Sequence, residues 1–119
     1  MKINREDVYN KCNGHCAYCG KEITFKQMQV DHVISKSRFY NQNPLPDYHH
    51  NELKNLLPSC ARCNKWKDTF TIDGFRTQIE LQLERLRRDS PNYRIALDYN
   101  LIEECPKNII FYFEKNLEN

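Results

Sequence analysis

The amino-acid sequence predicts an α+β fold, and three observations carry that reading. Two Cys-x-x-Cys pairs, Cys16/Cys19 and Cys60/Cys63, stand far apart in the chain. Each such turn aims both sulfurs at one point, so the four thiolates suit a single tetrahedral zinc that would staple distant segments together. Between the pairs, residues 27–34 alternate in the strand manner, with Met28, Val30, His32 and Ile34 on one face. Beyond them, Ile72, Phe75, Ile79, Leu83 and Leu86 recur with a helical period. The expectation is a small zinc-stapled core of strands and helix, followed by C-terminal helices and a terminal strand.

The chain has 119 residues, a length that fits one domain over 1–119, with its motif core at about 12–68 and an extension over about 71–116. A core of that size is adequate and gains from a metal staple. Six cysteines, no leader peptide and no apolar run long enough to cross a bilayer point to a soluble, cytoplasmic protein without a membrane partner, in a compartment where paired thiols bind metal. The formal net charge is only +2, but residues 1–70 carry 11 Lys and Arg against 7 Asp and Glu, whereas residues 71–119 carry 7 against 9. The motif half is therefore the basic half, which suits phosphate contacts and equally suits a solvated face.

In chain order, Asn4 caps a first helix whose opening turn holds Glu6 and Asp7, and which should end near Asn13-Gly14. The strand over 27–34 follows the first cysteine pair and places His32 near its end. Residues 35–51, with Pro44 and Pro46, have neither period and read as an exposed loop. Residues 55–58 suit a second short strand, and residues 60–68 a helix beginning inside the second cysteine pair. Thr71 or Asp73 can cap a long helix carrying the apolar stripe. Ser90-Pro91 is a cap followed by a first-turn proline, opening a shorter helix through Tyr99, and residues 108–114 read as the last strand.

The ordered set Cys16-x-x-Cys19, Asp31-His32, Asn55-Leu56-Leu57-Pro58 and Cys60-x-x-Cys63-Asn64-x-x-Lys67 resembles the HNH endonuclease family over roughly residues 12–67. Each piece is common by itself, and the combination is specific. The resemblance implies a ββα-metal motif, two antiparallel strands and a helix around a metal, and cleavage leaving 5′-phosphate and 3′-hydroxyl ends. Asn64 stands where the family commonly has His, giving an HNN variant. An amide oxygen beside a carboxylate suits a hard ion, Mg²⁺ or Mn²⁺.

In this reading His32 is the general base, since an imidazole can accept a proton near neutral pH and release it afterwards. Asp31 and Asn64 each give one oxygen to the catalytic ion, with Asp68, one turn later, the rival ligand. A regular strand points Asp31 and His32 to opposite faces, so sharing one site requires the strand to bend or end there. Asn55 matches the middle residue of the signature, and its amide holds the inter-strand loop and thereby the base. Lys67, Lys36 and Arg38 are candidates for contacting backbone phosphate, although Lys67 reads equally well as a solvated lysine. His49, His50 and His15 read as surface residues, Cys12 and Cys105 as ordinary small side chains, and Tyr18 and Trp66 as packing.

The function expected is therefore a metal-dependent DNA endonuclease or nickase with a structural Zn²⁺ and a catalytic Mg²⁺ or Mn²⁺, acting on DNA that is double-stranded. The alternative is a zinc-dependent nucleic-acid-binding module that has the scaffold and no catalysis. A pure binder has no physical need for an imidazole next to a carboxylate, and on that point the two readings separate.

Overall fold

The computed structural model describes residues 2–35 and 50–116. Most of the expected loop, with Lys36, Arg38 and His49, lies outside them. The described chain runs α1 (Arg5–Asn10), β1 (Gln29–His32), a 3-10 turn (Leu53–Asn55), β2 (Leu56–Ser59), α2 (Ala61–Lys67), α3 (Ile72–Glu80), α4 (Gln82–Asp89), α5 (Pro91–Asp98) and α6 (Tyr112–Asn116). It divides into two compact units, 1–72 with 110–119, and 73–109. The mixture of helices with a small two-stranded sheet is the α+β architecture expected.

In the first unit, Asn4 caps α1 by accepting from the Asp7 N–H. The chain leaves α1 through a turn in which Asn13 and Gly14 have positive φ, close to the expected end. β1 and β2 pair antiparallel, with Asp31 opposite Leu57 and His32 opposite Leu56. Pro58 is tolerated because it sits on an outer edge of the two-stranded sheet, where its carbonyl accepts from Ala17 N at 2.8 Å. That bond ties the first cysteine turn to β2. Val8, Tyr18, Met28, Leu56 and Phe111 are among the residues of this unit's buried core.

β1 is shorter than the eight residues expected, and its covered position is different. The chain turns over 25–27, where Gln27 and Met28 N–H donate to the Thr24 carbonyl. At the other end the Asn55 side chain takes both the N–H and the carbonyl of Ile34. Within the strand the buried residue is Asp31, on the face opposite Val30 and His32. The period is right, but a polar residue occupies the covered face because it meets partners there.

The terminal strand expected at 108–114 is not formed. Residues 103–111 have no regular structure and α6 follows. The Tyr112 and Phe113 N–H groups donate to the carbonyls of Tyr18 and Ala17. Glu114 folds back to accept from Phe111 N at 2.8 Å, which starts a helix, and the rings of Phe111 and Phe113 meet Tyr18 edge-on at 5.1 and 6.0 Å. Aromatic residues that resemble a strand in sequence are here anchors on the cysteine turn.

In the second unit the expected long helix is two helices broken at Leu81. The Gln82 side chain donates to the Gln78 carbonyl at 2.9 Å, covering an acceptor at the break. Ser90 caps α5 by accepting from Tyr93 N, with Pro91 at its first position, as its sequence indicates. Arg94 donates to the carbonyls of Arg87 and Arg88 at the end of α4. Glu104 joins Arg87 and Tyr93.

Candidate active site

The two cysteine turns meet. The four sulfurs of Cys16, Cys19, Cys60 and Cys63 all lie within 4.8 Å of one another, and zinc–thiolate bonds of about 2.3 Å give sulfur–sulfur edges of about 3.8 Å in a regular tetrahedron. Local backbone geometry brings them there. Gly20 adopts φ +82°, letting its N–H return to the Cys16 carbonyl at 3.0 Å. On the other side Cys60 is the N-cap of α2, its sulfur accepting from Cys63 N at 3.3 Å. The Cys63 thiol and nearby backbone N–H groups stabilise the Cys16 thiolate and push its pKa down to about 4, while the same contact pushes Cys63 up. Four sulfurs this close form the donor set of a tetrahedral thiolate site. The cluster fits a structural zinc.

α2 carries the geometry from that cluster to a cleft of about 290 Å³ lined by Val30, Asp31, His32, Ser35, His50, Asn64 and Asp68. Asp31, His32 and Asn64 are thus brought together, and the strand ends at His32, as a shared site requires.

Asp31 is 4% exposed. Its Oδ2 accepts from the Tyr18 hydroxyl and faces Lys67 Nζ at 3.2 Å. Among the described residues its Oδ1 has no protein partner. Burial raises the Asp31 pKa above the ordinary carboxylate value, and the Tyr18 and Lys67 contacts pull it part of the way back. Burial also pushes the Tyr18 hydroxyl strongly upward, so that it remains a donor. Asn64 is half-buried on α2, and its side-chain amide makes no hydrogen bond among the described residues. One carboxylate oxygen and one amide therefore reach the cleft without protein partners, a donor set of hard oxygens. Asp68 lines the same cleft from an exposed position after α2, at φ +47°.

His32 Nε2 lies 2.8 Å from Asn51 Oδ1. Its ring stacks on that of His50, with centroids 3.8 Å apart and an interplanar angle of 6°. Asn55 is buried, and its amide makes three bonds: from Ile34 N, to the Ile34 carbonyl and to the His50 carbonyl. It closes the segment between the strands.

Lys67 departs from its expected place at a backbone phosphate. The side chain is fully buried, with its ammonium against Asp31 and donating to the His32 carbonyl at 2.9 Å, so it braces both residues of the dipeptide from beneath. Its spacing after Cys63 reads as a neighbouring helical face, and only tertiary packing turns that face inward. His50 also departs from a surface reading, being 7% exposed. Tyr18 adds a hydroxyl to its packing role. A polar aromatic inside a cysteine turn was its only signal, and nothing in the sequence singled out Asn51.

Residues 16–70 match the HNH endonuclease family model, the same stretch that holds both cysteine turns, the dipeptide and Asn64. This stretch is an HNH endonuclease domain. The chain is also 34% identical, over 86 residues and 66% of its length, to the CRISPR-associated endonuclease Cas9 of Corynebacterium diphtheriae, of which it spans 7%. No solved structure matches at a comparable significance. Among the described residues, no helix is long and apolar enough to cross a membrane.

Proposed function

We propose that the chain is a metal-dependent endonuclease or nickase for double-stranded DNA, with residues 71–116 an extension of one nuclease domain. The carrying observation is the cleft itself, where an imidazole meets one oxygen of a buried carboxylate and an amide that, among the described residues, have no protein partner. The HNH match of residues 16–70 and the likeness to an endonuclease support the same reading.

Phosphodiester hydrolysis needs a water deprotonated in line with the leaving oxygen, and positive charge where negative charge accumulates. His32 takes the water's proton. Asp31 Oδ1 and the Asn64 amide oxygen would hold a Mg²⁺ or Mn²⁺, and that ion would supply the positive charge that the reaction needs. Tyr18 and Lys67 engage Asp31 only through Oδ2, which keeps the carboxylate oriented with Oδ1 free for the ion. Asn55 holds the loop that carries His50, and a zinc at the four cysteines would fix α2 and with it Asn64. The products carry 5′-phosphate and 3′-hydroxyl ends.

Supercoiled plasmid with Mg²⁺ or Mn²⁺ tests this. Wild type should produce relaxed circles, and His32→Ala should be slower by about 100-fold or more. Equal nicking by the two removes the proposed base. If neither nicks and both retard DNA in a gel, the chain is a zinc-dependent binding module.

A further inference from the structure

The roles above leave His50 and Asn51 unassigned, although both touch the His32 ring. Asn51 Oδ1 stands 2.8 Å from His32 Nε2. An amide oxygen only accepts, so this bond requires the proton on Nε2 and leaves the lone pair of the neutral ring on Nδ1. His50 meets the ring from a different direction, parallel to it at 3.8 Å. It is buried, and its carbonyl is held by Asn55 Nδ2 at 2.8 Å. One contact lies in the plane of the imidazole and the other on its face. A ring that otherwise rotates in a broad, two-fold torsional well is restrained in both senses.

We propose that Asn51 and His50 are positioning residues for His32: Asn51 selects the Nε2–H tautomer and the rotation of the ring, His50 fixes its plane, and Nδ1 is the atom that receives the water's proton. This rests on the endonuclease reading. The two residues act through His32 and do not themselves exchange protons with substrate. They also give Asn55 its reach, since its grip on the His50 carbonyl sets where the stacked ring stands.

The test combines ¹⁵N NMR of the histidine rings with plasmid nicking, on the zinc-loaded 119-residue chain. Wild-type His32 should show protonated Nε2 and unprotonated Nδ1. Asn51→Leu, similar in size but unable to accept, should give mixed tautomers and lower kcat by about 10- to 100-fold at unchanged KM, the range seen when the outer partner of a functional histidine is lost. Asn51→Asp, which keeps an acceptor at that reach, should restore the tautomer and most of the rate. His50→Phe keeps the stacked face and should exceed His50→Ala in rate by roughly 2- to 12-fold. Circular dichroism and zinc content identify any variant that fails to fold, and the conservative partner at the same position then carries the comparison. An unchanged tautomer and rate in Asn51→Leu overturns the proposal, as does a His50→Phe no faster than His50→Ala. Equal nicking by wild type and His32→Ala instead removes His32 as the base and the role with it, and no nicking by either removes the endonuclease reading, while the wild-type tautomer signal still reports whether the Asn51 bond exists.

Discussion

Replacing Lys67 by Met should expose how tightly the site is bound to the fold. The Lys67 and Asp31 side chains are 0% and 4% exposed, with Nζ 3.2 Å from Oδ2. At an effective dielectric of about 20, unit charges at that separation attract by about 5 kcal/mol. Lys67→Met leaves the carboxylate buried with the Tyr18 hydroxyl as its remaining Oδ2 donor, a situation that costs about 3–5 kcal/mol where buried pairs have been broken. Protonation sets the ceiling. From an ordinary value of about 3.9, keeping Asp31 neutral costs about 4 kcal/mol at pH 7 and about 1.5 kcal/mol at pH 5. Losing Lys67 raises the Asp31 pKa further above its unfolded value, so the folded variant retains a proton that the unfolded chain gives up, and stability falls as pH rises. The variant should lose about 3–4 kcal/mol at pH 7, a drop in urea midpoint of about 2 M for a chain of this size, and much less at pH 5. Asp31→Asn with Lys67→Met should recover most of the loss, because no charge is then buried alone. Urea unfolding of zinc-loaded protein at both pH values measures this. A midpoint shift that is small at pH 7, or equal at the two pH values, would refute the reasoning.

Asn55→Ala removes three hydrogen bonds from a buried amide, and at about 1 kcal/mol net for each it should cost about 3 kcal/mol in urea unfolding while slowing nicking. Cys60→Ser removes one thiolate of the cluster while leaving a hydroxyl able to cap α2. Denatured wild type should release about one zinc per chain, and the variant should bind less and aggregate or unfold, because metal binding is part of its folding free energy; undiminished thermal stability would count against the staple. Gly20→Ala forces a side chain into positive φ and brings its Cβ to 3.0 Å from the Tyr112 ring, so it should lower stability by about 1 kcal/mol or more, whereas Gly→Ala at a relaxed position is neutral or stabilising.

Local chemistry made much of this legible in the sequence. The caps at Asn4 and Ser90 and the two cysteine turns depend on residue type and short spacing, the grouping of Asp31, His32 and Asn64 came from the resemblance to HNH endonucleases, and the structure brings each set together. Features set by tertiary contacts were hidden. The run at 108–114 has strand composition, yet the N–H groups of Tyr112 and Phe113 are taken by the cysteine turn, and Glu114 starts a helix. Asp31 sits at the covered position of β1 because Lys67 and Tyr18 reach it from α2 and from the first cysteine turn, which no periodicity encodes. The ring of His50 and the amide of Asn51 meet His32 only after Asn55 folds their segment inward. The resemblance found the groups proposed to react and Asn55 among those that hold them; the supporting places of Lys67, Tyr18, His50 and Asn51 required coordinates.

The most direct measurement is the anomalous scattering of Mn²⁺ in crystals of the inactive His32→Ala variant bound to a DNA duplex. The account predicts one strong peak in the cleft, within bonding distance of Asp31 Oδ1 and Asn64 Oδ1 and of a phosphate oxygen, separate from the zinc at the four cysteines. A cleft without a peak, or an ion held by Asp68 with Asp31 and Asn64 uninvolved, would contradict it.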